Sequence, residues 1–372
     1  MSDDGTSTRA AFTRMPELDA AWRERSAGER LAAVRGAAPR LRARLVASGR
    51  AAFVDTFDLV TLPYPASFAF GGAAATPLPF IMMTNRMQLV QFVDAAGETK
   101  TLLFNPTDVE RSAETPFFRR LQDQMGQFVS SRVKKMLEKP TTVDYVKSAG
   151  LSPDDVDYVA FDHLHTQDLR RILGTRDEAA QFPRAKLVVW RPELDILRAL
   201  HPLQRPWFLE DAIAGVAEDR FLVLDDGDWL LGAGVALVRT PGHTVGNWSL
   251  ALSTDTGVWV VSENGVACDN YAPEASRIAG VRRHARRWGV EVVLNSNTLE
   301  GRNEQYTSMV LEKTLADPCR DDARFCQHFS SSELTATPFT PGLSPTYAHR
   351  RIRSGALARR APAARAAAEA RA

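Results

Sequence analysis

The sequence predicts an α/β protein in which strands and helices form layers. Two observations support this: apolar strand segments are paired across short turn sequences, and helical and strand segments then alternate along the chain. Of the 372 residues, 44% are hydrophobic and 24% are charged, which is ordinary for a globular protein with a buried core. At this length we expect one large domain with extensions, or two modest domains.

Residues 1–52 predict an N-terminal helical extension. Ser26 and Glu29 form a capping-box pattern ahead of an apolar run. Gly36 and Pro39 predict a break, followed by a second helix. We expect this extension to pack onto the body of the protein, while a dimerisation arm, and with it a homodimer, stays open as an alternative.

Residues 53–315 carry the strand signals of the main domain. Turn sequences rich in Asp and Gly predict two hairpins, in which the paired strands are Arg86–Val93 with Thr99–Phe104, and Trp248–Leu252 with Val258–Val261. Further along, Ala275–Trp288 predicts a basic amphipathic helix, and Glu291–Leu294 predicts a last strand. Residues 63–79 are rich in Gly, Pro and aromatic side chains, which fits a lid, an apolar pocket wall or a plain surface loop.

Residues 316–372 predict a C-terminal extension of largely irregular structure. From Tyr347 onward the sequence holds seven arginines and one glutamate among many alanines, a composition that predicts a solvated, frayed tail. Cys319, Cys326 and His328 are candidates for a zinc site, but three residues at irregular spacing are a weak signal.

Charge and cysteine content narrow the class of protein. A formal net charge of +1 does not predict a nucleic-acid partner, which would need a basic surface. Three cysteines are too few for a disulfide framework and favour a reducing compartment. The sequence shows no secretory signal behind its polar start and no apolar run of about 18 residues, so we expect a cytoplasmic protein without a membrane partner.

Three histidines are the candidates for one metal site. His163 and His165 alternate directly after the strand signal at residues 158–161, so both side chains point the same way in extended backbone. His243 follows a Pro-Gly turn after the strand signal at residues 235–238. Three neutral imidazoles leave a fourth metal position open for water, which is typical of a catalytic zinc site.

The chain resembles the metallo-β-lactamase superfamily over roughly residues 80–300. The matching segments are LSPDDVDYVAFDHLHTQDLRRILG (Leu151–Gly174), DDGDWLLGAGVALVRTPGHTVGNWSLAL (Asp225–Leu252) and GVWVVSENG (Gly257–Gly265). They correspond to the family's H-x-H-x-D-H motif, its T-P-G-H-T turn and its strand ending in a bridging aspartate. The resemblance implies a four-layer α/β/β/α sandwich, with two sheets face to face, helices outside and metals at one edge.

The departures from the family pattern lie in its second metal site. Gln167 stands where the family has an aspartate, and Asp168 stands at its last histidine. Asn264 replaces the bridging aspartate, beside Glu263, and residues 295–297 lack the late histidine. Because neutral amides are poor ligands for zinc, we expect one zinc ion per chain, held by the three histidines.

The loss of the family's aspartate leaves two local carboxylates for acid–base chemistry. Asp168 and Glu263 are the candidates for a catalytic role, and either is also a candidate metal ligand. Asp162 is placed to orient a histidine by accepting its distal N–H.

Three functions are compatible with this pattern. The first is a single-zinc hydrolase that attacks an ester, lactone or phosphoester-type bond of a small-molecule substrate. The second is a metal-binding protein without turnover that serves as a scaffold for a ligand or partner. The third is a metal-free scaffold in which the histidines have no ligand role.

Overall fold

The computed structural model describes residues 12–125, 139–296, 301–338 and 340–359. Within these ranges the strands are, in chain order, β1 Thr13–Met15, β2 Phe53–Pro65, β3 Phe80–Val93, β4 Thr99–Phe104, β5 Tyr158–Ala160, β6 Lys186–Trp190, β7 Phe221–Leu224, β8 Asp228–Gly232, β9 Val235–Arg239, β10 Trp248–Thr254, β11 Gly257–Ser262, β12 His328–Ser330, β13 Ser332–Leu334 and β14 Arg353–Gly355. One sheet has the order β1-β8-β9-β10-β11-β12, and the other has the order β14-β2-β3-β4-β5-β6-β7, with β13 paired to β3.

Helices cover the outer faces of both sheets. The described helices are α1 Asp19–Trp22, α2 Ala27–Ala47, α3 Ala66–Ala69, α4 Val109–Ser112, α5 Pro116–Met125, α6 Thr142–Ser148, α7 Arg170–Leu173, α8 Arg191–Arg198, α9 Cys268–Tyr271, α10 Val281–Trp288 and α11 Arg302–Leu315. In the part of the chain that the structure describes, no helix combines the length and the apolar content needed to span a bilayer.

Three apolar interfaces make four layers. Between the sheets, residues such as Val90 and Phe104 of one sheet pack against Leu237 and Leu250 of the other. Outside the larger sheet, a second core joins its strands to α6, α7 and α8. Outside the smaller sheet, a third core joins its strands to α2 and α11. The four-layer α/β/β/α sandwich is therefore confirmed, and its burial of alternate strand faces explains the strand patterns of the sequence.

Both hairpins expected from the turn sequences are confirmed. Strands β3 and β4 pair antiparallel, as do β10 and β11. In the first turn, the Asp94 carboxylate accepts the backbone N–H groups of Ala96 and Glu98, each at 2.9 Å. Gly97 adopts a φ of +82°, which favours glycine because a Cβ would be strained there. Local turn chemistry thus fixes the register of the first hairpin.

The N-terminal extension differs from its helical sequence pattern in two respects, one of which is strand β1, which pairs with β8 of the smaller sheet. Ser26 caps α2 as expected, since its hydroxyl accepts the N–H of Glu29 at 3.1 Å. The break expected at Gly36 and Pro39 is wrong, because α2 runs through both. Pro39 lies on the exposed face, and burial of the opposite apolar face against the smaller sheet outweighs the cost of one lost backbone hydrogen bond. The extension therefore packs onto the body of its own chain.

The strand expected at Glu291–Leu294 is also wrong. Although Val293 is buried, its backbone N–H donates to the carbonyl of Asn270 at 2.8 Å. The Asn270 side chain in turn donates to the carbonyl of Val293 at 2.7 Å. These contacts satisfy the segment's polar groups without a strand partner. Helix α10 likewise begins only at Val281, later than its sequence pattern suggests.

The candidate zinc residues of the C-terminal extension do not converge. His328 stacks on the ring of Tyr271, with centroids 3.8 Å apart. Cys319 instead contacts His349, at 3.7 Å between sulfur and Nε2. Among the described residues, no cysteine belongs to a group with metal-ligand spacing.

The frayed tail expected from Tyr347 does not hold for residues 347–359. Strand β14 pairs with β2 at the edge of the larger sheet. Ile352 is 1% exposed within the core between the sheets. Asp55 forms an ion pair with Arg351. The apolar content of this stretch is low, but a single isoleucine and backbone pairing are enough to dock it.

Replacing Ile352 by Ala should lower the free energy of unfolding by about 2–4 kcal/mol, because it removes buried apolar volume from the core between the sheets. Urea denaturation measures the change. Arg353→Ala is the matched control, since that neighbour is exposed and should have almost no effect. Equal stability of the two variants would show that the tail is frayed.

Candidate metal centre

Two loops, one from each sheet, carry the three histidines. His163 and His165 follow β5 of the larger sheet, and His243 follows β9 of the smaller sheet. The structure brings them together: ring centroids are 4.6 Å apart for His163 and His165, 4.4 Å for His163 and His243, and 5.2 Å for His165 and His243. One nitrogen from each ring lies within 4.8 Å of the others. This spacing is compatible with three ligands around one ion.

The three rings are buried, and several of their nitrogens have, in the described part of the chain, no hydrogen-bond partner that would compete with a cation. Exposure is 5% for His163 and His165 and 0% for His243. Nδ1 of His165 and both ring nitrogens of His243 have no hydrogen-bond partner among the described residues. Unpartnered buried nitrogens cost about 1–3 kcal/mol each, and coordination to one cation would satisfy them. The donor set therefore fits a divalent metal such as zinc.

Burial also keeps two of the rings neutral, which is the form of imidazole that binds metals. It lowers the pKa of His165 and of His243 well below the usual histidine value, and the neighbouring His163 lowers both further. Burial lowers the pKa of His163 too, but the Asp162 carboxylate beside it raises that pKa to about 9. A cation bound here would therefore displace a proton from His163.

Asp162 orients His163, as the sequence pattern indicated. Its Oδ1 lies 2.8 Å from Nδ1 of His163, which directs Nε2 as the free nitrogen of that ring. The other oxygen of Asp162 accepts the side-chain N–H of Asn105 at 3.1 Å. Asn105 adopts a φ of +58°, rare for a residue with a Cβ, and its side-chain oxygen accepts the N–H of Asp162 at 3.0 Å. The loop after β4 thus positions the loop after β5.

Glu193 holds the two histidine loops together. One of its oxygens accepts the N–H of Leu164 at 2.7 Å, and the other accepts the hydroxyl of Thr244 at 2.6 Å. The side chain is 2% exposed, so these charge-assisted bonds are shielded from water. Gly246 allows this approach, because a Cβ there would lie 2.4 Å from Cβ of Glu193. Sequence patterns did not indicate Glu193, since its partners lie 29 and 51 residues away.

The turn before His243 requires a glycine. Gly242 has a φ of +130°, and a Cβ there would lie 2.1 Å from the backbone nitrogen of Gln305. Helix α11 therefore packs directly against the turn that presents His243. Ser308 of the same helix donates to the carbonyl of Pro241 at 2.7 Å, which fixes the turn further.

Glu263 lies at the edge of the histidine cluster. An oxygen of its carboxylate is within 4.8 Å of a nitrogen of His163 and an oxygen of Asp162. Ser332 donates to Oε2 of Glu263 at 2.9 Å. Burial and the Asp162 carboxylate raise the pKa of Glu263 to about 7, although the positive charge of His163 lowers it. Such a carboxyl group can hold or release a proton near neutral pH.

Asp168 is engaged by arginines. Both its oxygens accept from the Arg170 guanidinium, at 3.0 and 2.5 Å, and Arg111 lies 3.7 Å away. Asp168 is 1% exposed and lies in the wall of a cavity of about 640 Å³ whose lining is dominated by paired arginine and acidic side chains. The contacts give Asp168 a role in fixing this wall, and the described candidate metal groups do not include it.

The two amides that stand where the family pattern has aspartates are anchored through their side-chain nitrogens. Gln167 Nε2 donates to the carbonyl of His165 at 3.2 Å, and Asn264 Nδ2 donates to Glu312 at 2.7 Å. The side-chain oxygens of both amides are buried without a described partner. Where the late histidine would fall, Asn295 accepts the hydroxyl of Tyr64 at 2.7 Å. These contacts add no carboxylate or imidazole to the three histidines.

Aromatic side chains line one side of the centre. The ring of Trp207 lies 5.7 Å from His165, and those of Phe117 and Phe68 lie 4.5 and 6.1 Å from Trp207. All three are partly exposed. Thr166 fixes this side, because its left-handed backbone (φ +62°) donates its N–H to the Trp207 carbonyl at 2.7 Å. Phe68 belongs to the aromatic stretch of residues 63–79, whereas sequence patterns did not indicate Trp207.

Comparison with known proteins finds partial likenesses. No protein-family model matches the sequence. N-acyl homoserine lactonase AiiA of Bacillus thuringiensis subsp. kurstaki is 30% identical over 131 residues, which are 35% of this chain and 46% of that protein. N-acyl homoserine lactonase of Bacillus cereus is 26% identical over the same shares. The match thus spans less than half the length of these relatives.

Solved structures show weaker likenesses at the level of the whole chain. A probable metal-dependent hydrolase from Staphylococcus aureus has a TM-score of 0.46 and 12% identity, covering 70% of this chain and 82% of that one. AidC, a dizinc quorum-quenching lactonase, has a TM-score of 0.45 and 13% identity, covering 84% of this chain and all of that one. The hydrolase AbOPH of the beta lactamase superfamily has a TM-score of 0.43 and 15% identity, with coverage of 84% and 99%.

This chain's own layers and motifs agree with the resemblance stated for its sequence. Two face-to-face sheets carry the H-x-H and T-P-G-H-T segments to one edge, as the resemblance implied. The match to the lactonases is consistent with that arrangement. The chain thus has the layers and the two histidine segments that its resemblance to the metallo-β-lactamase superfamily implied.

Proposed function

We propose that the chain is a metal-dependent hydrolase that binds one zinc ion through His163, His165 and His243. The observation that carries the proposal is the convergence of three buried imidazoles whose free nitrogens have no described partner. Zinc in such a site acts as a Lewis acid and acidifies a bound water near neutral pH. The bond class is an ester, lactone or phosphoester of a small molecule.

The protein's own contribution begins with orientation. Asp162 holds Nδ1 of His163 at 2.8 Å, and Glu193 ties the two histidine loops together. Both contacts are buried, so the ligand nitrogens are positioned before a cation arrives. This preorganisation supports a site that retains its geometry during turnover.

Glu263 is the residue that we assign to proton transfer. Its pKa of about 7 allows it to take a proton from the attacking water and to return one to the leaving oxygen. Asp168 was the other candidate, but its two oxygens already accept from Arg170. We therefore propose Glu263 rather than Asp168 as the catalytic carboxylate.

The aromatic side of the centre favours a substrate with an apolar substituent. Trp207 lies beside His165, and Phe117 and Phe68 pack on Trp207. All three are partly exposed and offer apolar contact to a bound molecule. The curated relatives are N-acyl homoserine lactonases. A lactone that carries an acyl chain is therefore the first substrate to test.

Replacing His243 by Ala should remove most of the bound zinc, because it deletes one of three ligands from a buried site. Elemental analysis of protein purified without added metal measures the zinc-to-protein ratio. His284→Ala is the control, since that histidine lies on α10 outside the cluster. Unchanged zinc in His243→Ala would contradict the ligand assignment.

Replacing Glu263 by Gln should lower kcat by about 100-fold or more while zinc content stays the same, because the amide cannot accept the proton. The measurement is hydrolysis of a panel of lactones, aryl esters and phosphoesters. Asp168→Asn, run in parallel, should lower kcat less. A larger loss in Asp168→Asn than in Glu263→Gln would reverse the assignment, and no turnover by the unmodified protein would favour a binding scaffold.

Replacing Trp207 by Ala should raise KM about 10-fold for long-chain substrates and leave KM for short-chain substrates unchanged. The reason is the loss of roughly 1–2 kcal/mol of apolar contact with the chain. Trp288→Ala is the control, because Trp288 is exposed on α10 and outside the aromatic cluster. Equal effects on short and long chains would contradict an apolar subsite at Trp207.

A further inference from the structure

A buried glutamate lies behind the centre and takes no part in the proposed reaction. Glu312 of α11 is 0% exposed. Its Oε1 accepts from Ser249 Oγ, Ser262 Oγ and Asn264 Nδ2, each at 2.7 Å. Its Oε2 accepts the hydroxyl of Tyr271 at 2.6 Å. Four donors converging on one buried carboxylate satisfy an anion where water is excluded.

The contact with Asn264 determines how that amide is oriented. Nδ2 faces Glu312 and lies 3.5 Å from the carbonyl of Thr240, so both its neighbours are acceptors. The reverse orientation would place oxygen against oxygen. The amide nitrogen is therefore committed to Glu312, and the side-chain oxygen is left without a described partner.

An aspartate at position 264 would meet Glu312 directly. The carboxylate oxygen that replaces Nδ2 would lie about as near to Oε1 as the nitrogen does, which is 2.7 Å. Two buried carboxylates at that distance cannot both be ionised, and they must share a proton or move apart. A second cation at this edge would need a charged ligand at 264, and Glu312 opposes that charge.

We infer that Glu312 is the positioning residue that keeps position 264 a neutral amide, so that this position adds no negative charge to that of Asp162 and Glu263 beside the metal centre. The functional relevance of this inference rests on the proposed one-zinc function. The coupling between Glu312 and Asn264 is a property of the fold, and it can be measured without zinc. Glu312 acts through Asn264; the histidine beside it is His328, at 3.8 Å between Nε2 and Oε2, which lies outside the three-histidine cluster.

The test is a double-mutant cycle of Asn264→Asp and Glu312→Gln, read as melting temperature. Asn264→Asp alone should lower Tm by about 10 °C, because it creates an uncompensated buried charge. Adding Glu312→Gln should recover at least half of that loss. The amide that Glu312→Gln introduces can donate to the carboxylate that Asn264→Asp introduces, which reverses the donor and acceptor of the native pair.

The surrounding hydroxyls can adapt to this reversal. Ser249 Oγ lies 2.8 Å from Thr240 Oγ1, and Ser262 Oγ lies 3.1 Å from His328 Nε2. Both hydroxyls therefore have an alternative partner when Oε1 of Glu312 is replaced by an amide nitrogen. The rescue is specific to a swapped pair, which a general loss of packing around α11 would not produce.

Asn270 supplies the matched control. It is also 0% exposed, but its Nδ2 donates to the backbone carbonyls of Ala69 and Val293. Asn270→Asp should lower Tm. Adding Glu312→Gln should lower Tm further, by the same amount as Glu312→Gln does on its own. The same rescue in Asn270→Asp as in Asn264→Asp would overturn the inference.

The outcomes separate this inference from the proposed function. Rescue of Asn264→Asp by Glu312→Gln supports the coupling even if the native protein holds no zinc. Additive losses in that pair overturn the coupling even if the native protein holds one zinc ion. Zinc content of the unmodified chain is measured alongside, so neither failure is mistaken for the other.

Discussion

The bond network of Glu193 is the interaction on which the candidate centre depends. The histidines come from two different sheets, and among the described strands the pairing stays within each sheet, so other contacts must hold the two edges together. Glu193 supplies a charged link by accepting from Leu164 in one loop and from Thr244 in the other. Trp248 of β10 adds a second link by donating its backbone N–H to the carbonyl of Asp162 at 3.0 Å. Because the carboxylate is buried, the link is also shielded from water, and three imidazoles stay within reach of one cation.

Negative charge is distributed around this centre in an unusual way. Asp162 and Glu263 lie beside His163, whereas the positions that would serve a second cation hold Gln167 and Asn264. The remaining carboxylates are engaged elsewhere, Asp168 by Arg170 and Glu312 by four neutral donors. Among the described residues, the second candidate group, Asp162, His163 and Glu263, shares His163 with the three-histidine group, which is why we propose one metal ion.

Local patterns in the sequence predicted the features that local chemistry determines. The turn at residues 94–97, the Ser26 cap and the alternation of His163 and His165 each depend on neighbours within a few residues, and the structure shows all three as expected. The layers were predicted through the family motifs. The structure brings the three histidines together, and their role as metal ligands stays a prediction.

Long-range contacts account for what the sequence did not predict. The apolar face of α2 packs on a sheet and outweighs the break expected at Pro39, and Asn270 satisfies the segment that resembled a strand at Glu291–Leu294. Strand β14 depends on β2, about 300 residues earlier in the chain. Glu193 and Glu312 contact their site partners across 29 to 63 residues, so no local pattern marks them. The zinc-to-protein ratio of the unmodified chain, purified without added metal, tests the account most directly. One zinc ion per chain is the predicted result, and a ratio of two, or none, would contradict it.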